Sequence, residues 1–438
     1  MVLMEKFLEK MKVRQQLEEL ELPKQNSNRG YSPSQLIMNF WVSIWCGASK
    51  FEHLEVTRHD EVIQRIFGWE KMAGNKSFMR YFKKFSYAAN RTIFTKYSQW
   101  FFNNIKFDNY TLDADSSIIT RYGNQEGAEV GYNPKKHGRK SHHPLIAFLP
   151  DCKMIINFWL RSGKSYTSNN IYSFVEDTFE RIRGKKVGLF RADSGFCDNK
   201  IMEYLEASRE TPREASNEAV PENERESPIH YIISGKFYRP IKREILSRKE
   251  WWSIGEGIEI SEINYKSIGW TKARRIVIIK QSIKDRPKAT GKELKLFTDE
   301  EVYGKYRYSC MITNLDLPAA NIWKLYKGRA DSENRIKEIK YDFGADSFNM
   351  KEFCGTDAAL NFVIMAYNIM SLFRQTVIQG DRFNRLSTLR YTTFGIGGYL
   401  TKRGNQKILK MSLDMNRRKW FKGLWAQTHI VSAPYVLA

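Results

Sequence analysis

The sequence predicts an α/β protein, with a mixed-sheet core that is interrupted by a β-rich insertion and flanked by helical N-terminal and C-terminal regions. Three observations support this prediction. Short apolar runs typical of strands alternate with helical spacing in residues 106–240, and β-branched, alternating runs dominate residues 241–315. Apolar residues recur every three or four positions in residues 1–105 and 316–380. A chain of 438 residues is long enough for such an architecture.

The composition indicates a folded protein with a polyanionic partner. Hydrophobic residues make up 42% of the chain, which is too many for a disordered protein. Lys and Arg number 71 against 49 Asp and Glu, and this net charge of +22 favours nucleic acid over an anionic membrane surface. A ribosomal protein would share that charge balance.

The chain has no sequence feature of a membrane or secreted protein. No apolar run of about 18 residues occurs, and the N-terminal stretch is charged. The five cysteines are scattered and never spaced as CxxC, which is typical of reduced thiols rather than of a zinc site or a disulfide framework. We therefore expect a cytoplasmic protein.

The N-terminal region, residues 1–105, is predicted to be helical. Ser32 is a candidate cap for a helix over residues 35–45, and helical patterning returns in residues 60–68 and 77–104. Two interpretations remain open, a helical DNA-binding domain and a packed helical bundle with a solvated basic face.

The first part of the core carries candidate catalytic acids on two strands. A predicted strand over residues 108–119 holds Asp113 and Asp115, which point to the same face because they are two positions apart. Asp193 ends the predicted strand over residues 185–193 and precedes a glycine turn, where α/β folds place functional side chains. Capping the following helix is an alternative role for Asp193.

Two further strands, a helix and a loop complete the predicted core. Residues 144–150 and 153–160 form a predicted hairpin, and a helix is expected to start at Ser168. Residues 209–228 are rich in Glu, Pro, Ser and Asn and are predicted to form a mobile loop before a buried strand at 229–236.

A glycine-rich, basic segment follows the first acidic strand. Four of its cations are predicted to bind the phosphate backbone of DNA beside the acids: Lys135, Lys136, Arg139 and Lys140. A flexible, solvated loop is the alternative interpretation. The histidines His137, His142 and His143 are expected to contact phosphate or solvent, because Mg²⁺ prefers oxygen ligands.

Residues 326–340 carry polar side chains at a fixed spacing, at Tyr326, Arg329, Glu333 and Lys340. If the whole stretch is one ideal helix, the other three lie at about +20°, −40° and −20° from Glu333. One narrow face then holds a carboxylate, two cations and a phenol, a set suited to metal-dependent phosphoryl transfer on a polyanion. A solvated face of an amphipathic helix is the alternative.

Two other acids on this predicted helix fail the same geometric test. Glu338 lies about 140° and Asp331 about 160° away from Glu333 around the helix axis. Neither is therefore a candidate ligand.

The chain ends with a buried helix and a basic region. The stretch 356–379 is largely apolar and is expected to be buried. Residues 381–438 are rich in Lys and Arg and are predicted to carry DNA contacts or subunit contacts.

The order of the predicted elements is that of an RNase H-like core. A strand with Asp is followed by two strands, a helix, a strand that ends in Asp, a helix, a strand, the insertion, and the helix with Glu333. In such a core Asp115, Asp193 and Glu333 would meet and hold two divalent ions at a scissile phosphate. Without ions the clustered carboxylates would repel one another, so the site requires metal.

These motifs resemble those of known transposases. The spacing of the polar residues in 326–340 is similar to the Tyr-x2-Arg-x3-Glu-x6-Lys signature of the IS4-like branch of DDE transposases. Together with the segment 122–145 and the sequence Arg-Ala-Asp-Ser-Gly-Phe at 191–196, it resembles the IS1380 family of bacterial insertion-sequence transposases. The likeness runs from around residue 30 to the end.

This resemblance implies a function and the residues that perform it. It implies a transposase that binds terminal inverted repeats, cleaves the transposon ends and joins them to target DNA. Asp115, Asp193 and Glu333 would be the catalytic, metal-binding triad, with two Mg²⁺ ions per site or Mn²⁺ in their place. The residues at the auxiliary positions, expected to bind DNA near the cleaved end, are Tyr326, Arg329 and Lys340.

The resemblance also implies partners and a location. The partners would be double-stranded DNA, both transposon ends and target, and a second copy of the chain in a homodimer assembled on DNA. The protein would act in the bacterial cytoplasm at the nucleoid, without a membrane.

Three alternatives stay open at this stage. Asp113 shares a strand face with Asp115 and is the alternative metal ligand. A metal-dependent nuclease that cuts without joining would use the same core. A catalytically silent DNA-binding protein derived from a transposase would keep the charge, although the intact acids argue against it.

Overall fold

The computed structural model describes residues 1–26, 30–107, 109–134, 136–166, 168–207, 228–255, 257–283, 301–303, 305–380 and 382–437. Lys135 lies outside the described residues, as does all but the last residue of the loop predicted at 209–228.

The N-terminal region folds as helices, as predicted. Ser32 caps the third of them, because its side chain accepts a hydrogen bond from Gln35 N at 3.1 Å. The helices are α1 (Val2–Lys10), α2 (Val13–Glu19), α3 (Pro33–Trp45), α4 (Leu54–Arg58), α5 (Glu61–Ile66), α6 (Asn75–Phe82) and α7 (Tyr87–Asn103).

The described part of residues 105–234 alternates strands and helices. The first strands are β1 (Ile105–Lys106), β2 (Tyr110–Ser116), β3 (Ile119–Thr120), β4 (Glu129–Val130), β5 (Lys140–His142), β6 (Leu145–Leu149) and β7 (Met154–Trp159). They are followed by α8 (Ile171–Arg181), β8 (Val187–Ala192), α9 (Asn199–Glu206) and β9 (His230–Ser234). The hairpin predicted from the apolar runs is the pair β6–β7, and α8 starts three residues after the predicted Ser168.

The next stretch is β-rich, as predicted, and is preceded by one helix. Its elements are α10 (Arg239–Ser247), β10 (Trp252–Gly255), β11 (Ile258–Tyr265), β12 (Arg274–Ser282), β13 (Glu301–Tyr303) and β14 (Tyr306–Thr313).

Helices, one small hairpin and a final strand that pairs with β1 are the elements of the rest of the chain. They are α11 (Ala319–Lys327), α12 (Ala330–Tyr341), α13 (Phe353–Phe373), α14 (Leu386–Leu389), β15 (Gly398–Arg403), β16 (Gln406–Met411), α15 (Met415–Ile430) and β17 (Tyr435–Val436).

A mixed sheet organises the fold. Within it the strands β7-β6-β2-β8-β9 have the order and directions of an RNase H-like core, with β2, β7, β8 and β9 running in one direction and β6 antiparallel to them. The strands of the insertion extend this same sheet, because β14 pairs antiparallel with β9 and carries β12, β11 and β10 beyond it. The boundaries predicted for the separate domains stay predictions.

Helix α13 forms the centre of the protein. By length and composition Phe353–Ile378 is apolar enough to cross a membrane, but 94% of its apolar window is buried by the rest of the chain. Two indole groups of α3 donate to its backbone, Trp41 to Phe362 O at 2.8 Å and Trp45 to Ala366 O at 3.2 Å. The N-terminal helices therefore share one hydrophobic core with the sheet.

Candidate active site

Two aspartates stand side by side at the ends of the parallel strands β2 and β8. The register pairs Ala114 with Ala192, so Asp115 and Asp193 are the next residues on neighbouring strands. Asp193 also caps the turn that follows, because its side chain accepts a hydrogen bond from Gly195 N at 3.0 Å. The predicted capping role is confirmed for the short 3₁₀ turn Ser194–Phe196, whereas Asp198 caps α9. The hydrogen bond to Gly195 N holds the Asp193 carboxylate at the strand end.

Asp113 lies on the same strand but is engaged inside the protein. Its side chain has no exposed surface, and its carboxylate accepts hydrogen bonds from Arg191 Nε at 2.6 Å and Nη2 at 2.9 Å. Ser332 Oγ, on α12, donates a third at 2.7 Å. The side chain of Asp115 is 19% exposed by comparison. Asp113 therefore forms a buried ion pair with Arg191, and its contacts link β2 and β8 to α12.

Arg329 provides the positive charge nearest to Asp115. Its guanidinium Nη2 lies 2.9 Å from Asp115 Oδ1 and donates to Ala114 O at 3.2 Å. Burial alone would lower the pKa of Arg329, but Asp115, Tyr326 and Asp193 outweigh burial and raise it. The buried guanidinium therefore lies in the electric field of both strand-end aspartates.

The carboxyl group of Asp115 is itself perturbed. Burial raises its pKa, and the like charges of Glu333 and Asp113 raise it further. Arg329 and a hydrogen bond from Ser116 N, at 2.8 Å, act in the opposite direction. The charge of Glu333, on α12, therefore acts on the Asp115 carboxyl group, which lies on β2.

The stretch predicted as one helix over 326–340 is two helices joined by a tight turn, so that prediction is wrong at Gly328. At the junction, hydrogen bonds run to the third residue back, from Arg329 N to Tyr326 O at 3.0 Å and from Ser332 N to Arg329 O at 3.1 Å. A Cβ on Gly328 would lie 2.8 Å from Arg191 Nη1. Glycine leaves the room that this guanidinium needs.

The three auxiliary residues face the protein rather than solvent. Tyr326 is 2% exposed and packs in a hydrophobic cluster with Trp323 beside the insertion strands. Arg329 is buried, and Lys340 donates from Nζ to Ile118 O at 2.9 Å. Arg329 and Lys340 therefore hold the end of β2 and the residues that follow it.

Glu333 lies at the exposed edge of the site. Its side chain is 57% exposed, in the first turn of α12, and its nearest ion-pair partner is Lys337 at 3.8 Å. In the part of the chain that the structure describes, no three His, Cys, Asp or Glu side chains are close enough to form a metal-binding group. Glu333 thus acts electrostatically on Asp115, but Asp115, Asp193 and Glu333 do not form a close group of metal ligands in the described structure.

The two acids that helix geometry rejected have other partners. Glu338 has no exposed surface and accepts hydrogen bonds from Arg374 Nη2 at 2.6 Å and Leu386 N at 2.8 Å. Asp331 pairs with Arg335 at 3.4 Å. Glu338 therefore attaches α12 to the helices behind it.

The basic segment after β2 is built on the three-stranded sheet β3-β5-β4. Lys136, Arg139 and Lys140 are exposed on it. Lys136 lies over the ring of Tyr122 with Nζ 5.0 Å from the centroid, and Lys140 Nζ donates to Asn124 Oδ1 at 2.9 Å. The described part of the segment is thus an anchored loop with outward cations.

Two histidines of this segment are buried, so the expectation of phosphate or solvent contact is wrong for them. His142 accepts a hydrogen bond from Arg121 Nε at 3.1 Å, and its Nε2 lies 3.0 Å from Glu126 O. Burial lowers the pKa of His142 to about 4. His143 is buried as well, whereas His137 is exposed.

Sequence reasoning missed the residues that support the acids. Arg191 and Ser332 hold Asp113, and Arg121 fixes the base of the basic loop. Arg191 carried a signal, because it stands two positions before Asp193 and so shares its strand face. The partners of Ser332 and Arg121 are distant in sequence, and no local pattern identifies them.

Comparison with known proteins gives one family match. The model of a family described as transposase DDE domain group 1 matches residues 1–429. No curated protein sequence matches the chain. Among solved structures, the chain is similar to a piggyBac transposase determined by cryo-electron microscopy as a synaptic complex with hairpin DNA. That similarity has a TM-score of 0.45 and 12% sequence identity, and it covers 89% of this chain and 78% of the piggyBac chain.

Proposed function

The chain belongs to the family of group 1 transposase DDE domains, and from this premise we propose that it mobilises a bacterial insertion sequence of the IS1380 type. It binds the terminal inverted repeats of its element, cleaves the transposon ends and joins them to target DNA, as a homodimer assembled on DNA. The observation that carries the proposal is the parallel register that sets Asp115 beside Asp193, with Glu333 close enough to raise the pKa of Asp115.

The candidate donors fit a hard divalent ion. DDE transposases generally use such ions, and the donor set here consists of carboxylates, two of which, Asp115 and Glu333, are partly or largely exposed. The acids already attract one buried cation, the guanidinium of Arg329. Asp115, Asp193 and Glu333 would hold Mg²⁺, or Mn²⁺ in its place, with two ions per site. When bound, the ions would supply activation of the attacking oxygen and stabilisation of the leaving oxygen.

The surrounding residues position the acids and receive the DNA. Arg329 and Lys340 fix the end of β2 through Ala114 O and Ile118 O, and they place positive charge beside the scissile phosphate. Tyr326 supports Arg329 from the hydrophobic cluster. The cations of the basic loop that bind the phosphate backbone are Lys135, Lys136, Arg139 and Lys140.

One observation favours a second candidate, a DNA-binding protein without catalysis. Arg329 Nη2 lies 2.9 Å from Asp115 Oδ1 and offsets the charge of this carboxylate without a metal ion. A protein that no longer binds metal would tolerate this arrangement. It would still bind element ends through the same cations.

Cleavage of a labelled duplex from the end of the element separates these candidates. Wild type is compared with Asp193→Ala and Glu333→Ala in Mg²⁺, Mn²⁺ or EDTA, and binding is measured in parallel. Asp331→Ala is the matched control, because Asp331 is on the same helix but pairs with Arg335. We expect metal-dependent cleavage by wild type and the control, and binding without cleavage by the two variants.

Two other outcomes would change the proposal. If the Asp193 and Glu333 variants cut as well as wild type, the triad is wrong. If no protein cuts but end-specific binding survives, the silent DNA-binding candidate is the correct one. A strand-joining assay then distinguishes a transposase from a nuclease that only cuts.

A further inference from the structure

The C-terminal region carries positive charge that the chain does not neutralise. Residues 382–437 contain eleven Lys or Arg and one carboxylate, Asp414. That carboxylate is engaged as the N-cap of α15, where its Oδ1 accepts a hydrogen bond from Arg417 N at 2.9 Å. Arg385 pairs with Asp342 outside the region at 2.9 Å, so cations still exceed carboxylates by a wide margin in its described part.

Much of this charge is placed on the hairpin β15–β16. The register sets Lys402 directly opposite Lys407, and like charges in such a pair destabilise a two-stranded sheet. Arg403 lies next to this pair, and Lys410 stands opposite Tyr399. Among the described residues, no carboxylate lies within ion-pair distance of these four cations. A polyanion would remove the repulsion that the hairpin itself leaves in place.

The hairpin is a separate ribbon with a polar tip. It forms its own two-stranded sheet, apart from the central one. Met411, and Leu413 just beyond the strand, pack its base against the hydrophobic core. The tip, residues 402–407, is exposed and turns at Gly404, whose φ of 60° suits the first position of a two-residue hairpin loop. The base holds the ribbon in place while the tip extends from the protein.

We propose that the hairpin β15–β16 is a DNA-binding ribbon, distinct from the candidate active site. Its tip enters a groove of duplex DNA, and Lys402, Arg403, Lys407 and Lys410 bind the phosphates on either side. A two-stranded ribbon has the width that the major groove admits. The tip side chains are hydrogen-bond donors rather than large apolar groups, which favours DNA over a lipid surface. The choice of DNA as the polyanion rests on the proposed function.

Binding to an element-end duplex, measured by fluorescence anisotropy in EDTA at several salt concentrations, tests this proposal. EDTA makes the result independent of cleavage, so it can fail or succeed apart from the candidate triad. The test variant replaces the four cations, as Lys402→Gln, Arg403→Gln, Lys407→Gln and Lys410→Gln. We expect at least about a tenfold loss of affinity at ~0.15 M salt, and a salt slope smaller by about three to four, since each phosphate contact contributes about 0.9.

Two control variants make the result specific. The first removes the same charge from exposed cations at and near the β-rich stretch, to which no DNA contact is assigned, and should bind as wild type: Arg239→Gln, Arg243→Gln, Lys249→Gln and Lys266→Gln. The second keeps the hairpin charge, as Lys402→Arg, Lys407→Arg and Lys410→Arg, and should also keep the affinity. Circular dichroism checks that each variant is folded.

Three results would overturn the proposal. The first is an unchanged affinity and salt slope in the hairpin variant with four glutamines. The second is an equal loss in the first control variant. The third is a loss confined to single-stranded RNA or anionic vesicles while duplex binding persists.

Discussion

At the scale of single residues, the two acids of β2 have opposite surroundings and should respond differently to the same substitution. Asp113→Asn removes the charge partner of a buried Arg191 and should lower the free energy of unfolding by about 3 kcal/mol. Asp115→Asn should cost clearly less, because Asp115 is partly exposed and Arg329 keeps its bond to Ala114 O. Urea denaturation followed by tryptophan fluorescence measures both values.

Cleavage gives the complementary comparison for these acids. Asp115→Asn should abolish metal-dependent cleavage while the protein stays folded, and Asp113→Asn should reduce it in proportion to the folded fraction. If Asp113→Asn left stability unchanged but abolished cleavage, Asp113 rather than Asp115 would be the ligand.

Arg329 is a cation at the position where the acids would hold a metal, so its charge should oppose metal binding. The guanidinium lies 2.9 Å from an Asp115 oxygen, and a cation at that distance repels an incoming dication. Arg329→Gln should therefore tighten Mn²⁺ binding to the DNA-free protein by roughly tenfold. Electron paramagnetic resonance of free Mn²⁺ measures the affinity, with Lys324→Gln, exposed on α11, as the control. Weaker or unchanged Mn²⁺ binding would mean that Arg329 does not face the metal.

At the scale of elements, the junction between α11 and α12 depends on the absence of a side chain at Gly328. Its φ of −58° would suit alanine, but the added Cβ would meet Arg191, which is held by Asp113 and by Leu325 O at 2.5 Å. Gly328→Ala should therefore lower the free energy of unfolding by about 1 to 2 kcal/mol. It should also slow cleavage, because Ser332 and Glu333 begin the helix that shifts.

A second glycine provides the control for that prediction. Gly423 is inside α15, and a Cβ there would meet no atom within 4 Å. Gly423→Ala should raise the free energy of unfolding by up to about 1 kcal/mol, as alanine favours a helix. Equal effects at the two positions, measured by urea denaturation, would show that helix propensity rather than contact with Arg191 decides the outcome.

The small sheet β3-β5-β4 should make stability depend on pH through His142. The pKa of this buried imidazole falls from 6.5 to about 4 because burial disfavours its charged form. The unfolded chain then binds more protons than the folded one between these values. The stabilisation from neutral His142 is complete above pH 6.5 and is lost as pH falls towards 4, to a total of at most about 3 kcal/mol.

The difference between wild type and His142→Gln isolates this contribution. Glutamine is neutral throughout and retains an acceptor for Arg121 and a donor for Glu126 O. The free energy of unfolding of wild type should fall relative to that of His142→Gln between pH 6.5 and 4. Parallel curves over this window would mean that His142 is accessible to protons in the folded state.

At the scale of the whole molecule, local patterns predicted the elements but not the way they interlock. Asp115 and Asp193 were predictable because Asp115 lies in a strand and Asp193 at the end of another, both with local alternation, and the parallel order followed from the sequence of elements. The helix break at Gly328 was not predictable. It depends on the contact between Gly328 and Arg191, which forms only after β8 and α11 pack together. The buried His142 was missed for the same reason, since its partners Arg121 and Glu126 lie on other parts of the loop.

The shared core also predicts that the N-terminal helical region cannot fold alone. Within α3, every residue from Leu36 to Trp45 is buried, and Trp41 and Trp45 donate to carbonyls of α13. A fragment of residues 1–105 would expose this apolar surface to water, which costs more than its own helices gain. Urea denaturation is followed by tryptophan fluorescence. We expect the full chain to lose a blue-shifted emission in one cooperative transition, and the fragment to show no cooperative transition. A fragment that unfolded cooperatively with native-like emission would instead establish residues 1–105 as an autonomous domain, the form that an independent DNA-binding module would take.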